Sequence, residues 1–150
     1  MLKSRCSSLP VTFFRDDAMP HSLVTDLYGQ MTLPVICAPM FIVSNPKLVV
    51  AQCTSGIVGS FPALNARPQS LLNDWLDEVQ AGLASHREAN PGAAVAPLAV
   101  NQIIHQSNDR LDQDLAVCAS HRVPLIITSL RAPGDLVKGI HDWGGKVFHD

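Results

Sequence analysis

The residues best placed to contact a ligand follow the first apolar run of the sequence, and they are Ala38, Pro39 and Met40. The run Leu33–Met40 predicts a strand buried on both faces. Pro39 has no N–H and stops that strand, and Asn45 then caps a helix that begins at Pro46. Because parallel α/β proteins bind ligands beyond the carboxyl ends of their strands, we expect a cofactor beside residues 38–40.

Apolar runs and helical segments alternate along the rest of the chain. Further strands are predicted over residues 57–61, 94–101, 123–129 and 146–149. Helices are predicted over 46–53 and 68–89, from about 108, and around 136–140. Five strands separated by four helices indicate an α/β protein with a parallel sheet.

Composition excludes several classes of function. The 150 residues are 47% hydrophobic and 16% charged, with a formal net charge of -2, so no basic surface for nucleic acid is expected. No apolar window is long enough to predict a membrane span, and no G-x-G-x-x-G or phosphate-binding P-loop motif occurs. The irregular cysteine spacing predicts reduced thiols, no metal site and a cytoplasmic location; the cysteines are Cys6, Cys37, Cys53 and Cys118.

Residues 1–19 differ from the remainder of the chain. Short apolar pieces alternate there with basic residues and Asp16-Asp17, which is not the continuous apolar stretch of a signal peptide. We expect either a disordered extension or translation that begins at Met19. Residues 20–150 then form the folded part.

The segment 33–68, LPVICAPMFIVSNPKLVVAQCTSGIVGSFPALNARP, resembles the N-terminal part of the nitronate monooxygenase family, formerly called 2-nitropropane dioxygenases. The motifs at residues 99–101 and 127–129 fit the same family in order, and the similarity spans roughly residues 22–150. The resemblance implies a (β/α)8 TIM-type barrel that binds FMN at the carboxyl ends of its strands. The chain would supply the first five strands and four helices, an incomplete barrel.

The resemblance also assigns candidate site residues. The expected cofactor-binding residues are Ala38, Pro39, Met40, Gly59, Ser60, Asn101, Thr128, Lys146 and His149. Asn101 would hydrogen-bond the flavin ring with either half of its amide, Thr128 would continue the same wall, and the missing Cβ of Gly59 would admit a planar ligand. The family's catalytic His follows a Gly-Gly pair after strand six. Here Gly144-Gly145 is followed by Lys146, so the catalytic residue stays unknown.

Several of these residues also have a purely structural interpretation. Met40 could fill a core, Asn101 could satisfy backbone groups of a loop, and Gly59 could allow a helix to pack on a strand. Thr128 is common in any strand, and His149 could be solvated.

The complete enzyme is expected to oxidise alkyl nitronates to a carbonyl compound and nitrite, with FMN and O2. Met40, Phe41 and Phe61 suit a small apolar substrate. Because a full barrel needs about 250 residues, the chain is expected to be a truncated portion that is inactive alone and either dimerises or requires a C-terminal half. Two alternatives stay open: a non-catalytic half-barrel that self-associates, and a flavin-dependent enoyl thioester reductase.

Overall fold

The computed structural model describes residues 27–150 and contains one parallel sheet with strands in chain order. The strands are β1 (Gly59–Pro62), β2 (Leu98–Ile104), β3 (Leu125–Leu130) and β4 (Lys146–His149). The helices are α1 (Pro46–Thr54), α2 (Leu71–Ala89), α3 (Leu111–Ser120) and α4 (Leu136–Asp142). A short 3-10 helix, Ala63–Asn65, follows β1. The α/β class with a parallel sheet is therefore confirmed.

The expected first strand forms only a single bridge, between Ile36 and Val58. The amide of Val58 donates to the Val35 carbonyl at 3.0 Å, and the amide of Cys37 donates to the Val58 carbonyl at 2.9 Å. Pro34 and Pro39 lie on either side of this pairing and have no amide hydrogens with which to extend it. The expectation of a strand buried on both faces was wrong, because Val35 and Ile36 are 44% and 38% exposed.

The local signals for α1 are confirmed. The Asn45 side chain accepts a hydrogen bond from the Leu48 amide at 3.1 Å, and Pro46 occupies the start of the helix. The following helix, α2, buries Leu72, Leu76 and Val79 on one face, as the spacing of its apolar residues predicts.

The sheet has two faces because successive side chains of a strand point to opposite sides. On the helix-facing side, Phe61, Val100 and Ile126 pack with the buried faces of the helices. On the opposite side, here called the inner face, Val58, Ala99, Leu125 and Ile127 pack together with Phe148. Phe61 is fully buried with its ring 5.5 Å from that of Trp75, so the expectation that it contacts substrate was wrong.

The remaining predictions can be compared only within residues 27–150. No helix in that part of the chain is long and apolar enough to cross a membrane, and those residues hold no cluster of three potential metal ligands. Cys37, Cys53 and Cys118 are free thiols. Cys6 and the expectations for residues 1–19 lie outside the described residues.

Candidate functional site at the strand carboxyl ends

Three polar side chains lie on the inner face of the sheet. Asn101 and Ser129 lie toward the carboxyl ends of β2 and β3, whereas Ser60 of β1 pairs with Ala99 and lies nearer the amino end. Each lies two residues beyond an inner-face apolar residue of its strand, namely Val58, Ala99 and Ile127. Period-two alternation therefore places all three on one side of the sheet. Asn101 is nearly buried, with 4% of its surface exposed.

The amide of Asn101 has a defined orientation. Its Nδ2 donates to the Ile127 carbonyl at 3.1 Å and to the Ser129 hydroxyl at 2.7 Å, so both of its hydrogens are used within the protein. Among the described residues, none donates a hydrogen bond to Oδ1. Either half of the amide was expected to meet a ligand, but only the carbonyl oxygen Oδ1 is left to do so.

The hydroxyl of Ser60 joins β1 to the segment that precedes the expected cofactor residues. It donates to the carbonyl of Cys37, and Ser60 is completely buried. The backbone of Ser60 is held in turn by the Gln52 side chain of α1, whose Oε1 accepts from the Ser60 amide at 3.3 Å. Ser60 therefore fixes where the chain enters residues 38–40, and its hydroxyl hydrogen is not available for a ligand.

Residues 40–44 form what we call the strand-end loop. Its ends are tied together, since the Met40 amide donates to the Ser44 hydroxyl at 3.0 Å and the Ser44 amide donates to the Met40 carbonyl at 3.0 Å. Asn65 contacts the same loop through three further hydrogen bonds. Three of the expected cofactor-binding residues lie just before this loop or at its first position. Ala38 and Met40 are exposed, and Pro39 is half-buried.

The strand-end loop presents apolar side chains to solvent. Met40, Phe41, Ile42 and Val43 are 41%, 58%, 80% and 55% exposed. The guanidinium carbon of Arg67 lies 5.4 Å from the centre of the Phe41 ring, within the range of a cation–π contact. Because 41% of its surface is exposed, Met40 does not fill a core, and its side chain is accessible to a ligand.

Thr128 and His149 lie on the other face of the sheet from Asn101. Thr128 pairs in register with Gln102, whose side chain reaches Cys118 of α3, and with His149 on β4. The Thr128 hydroxyl is 3.0 Å from Nδ1 of His149. The expectation that Thr128 and Asn101 form one wall was therefore wrong, because the register offsets the two residues by one position and one position reverses the face. Ser129 takes the inner-face position instead.

Lys146 and Gly59 also differ from their expected placement. Lys146 is the first residue of β4 and pairs with Leu125, the first residue of β3. It therefore lies at the amino end of the sheet, away from Asn101. A Cβ on Gly59 would stand 2.6 Å from the Val49 carbonyl oxygen and 2.9 Å from Sγ of Cys53, both in α1. The missing side chain of Gly59 thus serves helix packing, and only its backbone remains a predicted ligand contact.

The thiols near the sheet are poorly suited to act as nucleophiles. Burial raises the pKa of Cys53 to about 11 and that of Cys118 to about 12. Burial also raises the pKa of the Cys37 thiol. Since the thiolate is the reactive form, these residues stay protonated near neutral pH and offer no covalent chemistry.

A buried ion pair supports the turn that carries Asn65. The Arg110 guanidinium donates to the Ala66 carbonyl at 2.9 Å and to the Ala63 carbonyl at 3.3 Å. It also lies 3.2 Å from Oδ1 of Asp114, which is completely buried. The 3-10 helix is therefore fixed at both ends by α3.

Sequence reasoning missed Asn65, Ser129 and Arg110. Asn65 lies within the segment of family resemblance, where only its position shortly after a strand could have indicated a role in the adjoining loop. Ser129 directly follows Thr128, and a correct strand register would have selected it. Nothing in the sequence spacing signals the contact of Arg110 with residues 63 and 66, which lie more than forty positions away.

The fold can be compared with solved structures. The chain is similar to FabK from Thermotoga maritima, with a TM-score of 0.58 and 20% identity over 87% of this chain and 37% of that chain. It is also similar to a nitroalkane oxidase from Streptomyces ansochromogenes, with a TM-score of 0.64 and 18% identity over 85% of this chain and 42% of that chain. No protein-family model and no curated protein matches the sequence. The chain spans less than half the length of these two structures, and its fold is that of part of a TIM-type barrel.

Proposed function

We propose that this chain forms the N-terminal part of an FMN-dependent oxidoreductase that oxidises alkyl nitronates to a carbonyl compound and nitrite, with O2 as the oxidant. The observation that carries the proposal is the pair of polar side chains, Asn101 and Ser129, on the inner face toward the strand ends, together with the exposed apolar residues of the strand-end loop. The fold shared with a nitroalkane oxidase and the resemblance of residues 33–68 to nitronate monooxygenases support it.

The residues present suit the ring of a flavin. A flavin ring has apolar faces and a polar edge that contains an N–H group. Asn101 offers Oδ1 as an acceptor for such a donor, and Met40 and Phe41 offer apolar surface. TIM-type barrels commonly bind a cofactor phosphate at the loops after strands seven and eight, so the described strands are proposed to hold the ring alone.

When bound, the flavin would supply the redox chemistry between the nitronate and O2. The contribution of this chain is to bind and orient. Asn101 would fix the ring's polar edge, and residues 38–40 would lie against the ring through their backbone groups and the Met40 side chain. Nitronates already lack the proton on carbon, so no catalytic base is assigned among these residues. A cytoplasmic location accompanies the proposal.

A second candidate is reduction of an enoyl thioester by a related flavin-dependent enzyme. The similarity to FabK favours it, with a TM-score of 0.58. The apolar strand-end loop would suit an acyl chain as well as a small nitronate. The two candidates differ in electron flow, because the reductase draws electrons from a nicotinamide, whereas nitronate oxidation delivers them to O2.

The test is FMN binding by the 150-residue chain. A solution of FMN is titrated with protein while flavin fluorescence and the absorption spectrum are followed, and the complex is sized by gel filtration. We expect a yellow, homogeneous complex. We also expect Asn101→Ala to weaken binding about 10-fold or more, because the replacement removes the Oδ1 acceptor proposed to meet the ring.

The matched control is Asn90→Ala. Asn90 is an exposed amide that ends α2 near the amino ends of the strands, so its loss should leave FMN binding unchanged. If the chain stays colourless, or if both variants bind as the unaltered chain does, the proposed site is wrong. Nitrite release from ethyl nitronate, compared with oxidation of a nicotinamide by an enoyl thioester, then separates the two candidates in a protein that joins these residues to the remaining strands of a barrel.

A further inference from the structure

We propose that Asn65 is the positioning residue of the strand-end site, and that its amide holds residues 40–44 ready for the ligand. The identity of that ligand rests on the proposed function. Asn65 itself is not expected to touch a reacting atom, because both of its amide hydrogens and one lone pair of Oδ1 are used by the protein backbone.

Within the described residues, Asn65 makes three side-chain hydrogen bonds, and all three go to one loop. Its Oδ1 accepts from the Ile42 amide at 3.2 Å. Its Nδ2 donates to the Met40 carbonyl at 3.0 Å and to the Ser44 carbonyl at 2.9 Å. The contacts therefore reach the first, middle and last residues of the strand-end loop, which lie 21 to 25 positions earlier in the chain.

The loop needs such a constraint. Ile42 has a φ of 67°, in the left-handed region that β-branched residues rarely occupy. Its side chain is 80% exposed, so packing contributes little to keeping it there. Strained backbone of this kind persists only where surrounding contacts determine it, and it is frequent at ligand-binding positions. Asn65 supplies a contact at the strained residue itself.

The support continues behind Asn65 into the fold. Asn65 ends the 3-10 helix, and the carbonyls of Ala63 and Ala66 beside it accept hydrogen bonds from Arg110. Arg110 in turn is paired with the buried carboxylate of Asp114. The loop is thereby connected to α3 through Asn65, the backbone carbonyls of residues 63 and 66, and Arg110.

The experiment compares Asn65→Ala and Asn65→Asp with Asn90→Ala in the full chain. The Asp variant keeps an acceptor for the Ile42 amide but loses both donors. FMN affinity, the visible circular dichroism of bound FMN and the thermal midpoint are measured for each. We expect both Asn65 variants to bind FMN about 10- to 100-fold more weakly, with altered visible dichroism, because a loosened loop is only partly in its binding conformation.

Hydrogen exchange of the backbone amides of residues 40–44, measured without ligand, gives an independent result. Faster exchange there in both Asn65 variants, with exchange in β2 and β3 unchanged, supports the assignment. Unchanged exchange in the loop overturns it, as does an unchanged FMN affinity and spectrum. If the unaltered chain itself fails to bind FMN, the proposed function fails, while the exchange measurement still decides the role of Asn65.

Discussion

Replacement of Gly59 by Ala tests whether this glycine is needed for the packing of α1 on β1 or for the close approach of a planar ligand. The new Cβ would stand 2.6 Å from the Val49 carbonyl oxygen, 2.9 Å from Sγ of Cys53 and 3.1 Å from Cβ of Gln52. A relaxed contact of about 3.5 Å would require α1 to withdraw by about 0.9 Å. The nearest atom belongs to the backbone, so rotation of a side chain cannot relieve the clash.

The expected cost follows from what α1 buries. Val49 and Cys53 are both completely buried against the sheet, and withdrawal of the helix would loosen their packing. Forcing an extra methyl group into a packed interior typically costs about 1–3 kcal/mol. We therefore expect Gly59→Ala to lower the free energy of unfolding by about that amount.

The assay is urea unfolding followed by far-ultraviolet circular dichroism, with the free energy obtained from the midpoint and slope. The matched control is Gly139→Ala in α4, where a Cβ would meet no atom within 4 Å. That change should stabilise the protein by about 0.5–1 kcal/mol, because Ala favours the helix over Gly. If Gly59→Ala leaves the free energy of unfolding unchanged but abolishes FMN binding, the packing explanation is refuted and the ligand explanation holds.

Two further predictions concern buried ionisable groups. Asp114→Ala should lower the free energy of unfolding by about 3–5 kcal/mol, because Arg110 would keep its charge without its buried partner. In urea unfolding, the double variant Asp114→Leu with Arg110→Met should recover only part of that loss, because the carbonyls of Ala63 and Ala66 lose their donor. A loss under about 1 kcal/mol for Asp114→Ala would contradict the pairing. Burial raises the pKa of the Cys118 thiol from 9.0 to about 12. Because this thiol loses its proton at a lower pH in the unfolded chain than in the folded one, the free energy of unfolding should fall as pH rises from 9.0 toward about 12. Urea midpoints across that pH range should fall less for Cys118→Ala than for the unaltered chain. An equal decrease of the midpoint with pH in the two proteins would refute this assignment.

Local sequence patterns predicted much of the fold. Asn45 and Pro46 correctly marked the start of α1, because a cap depends on groups within a few residues of one another. The parallel arrangement of the strands followed from apolar runs separated by helical segments, whereas that pattern alone did not decide between a barrel and an open sheet. The first strand was overestimated, since its extent depends on neighbouring strands and on whether Pro34 and Pro39 leave enough amides to pair.

The residue types and the order of elements are properties of the sequence itself, and they were sufficient to indicate a parallel α/β fold with ligand contacts expected at the strand ends. Only the tertiary structure decided which strand-end residues share a face. Thr128 and Ser129 are adjacent in the chain, yet the register of β3 places only Ser129 beside Asn101. The link between Asn65 and residues 40–44 likewise joins segments more than twenty positions apart. Such contacts depend on strand register and helix packing, which arise only when distant parts of the chain bury their apolar surfaces together.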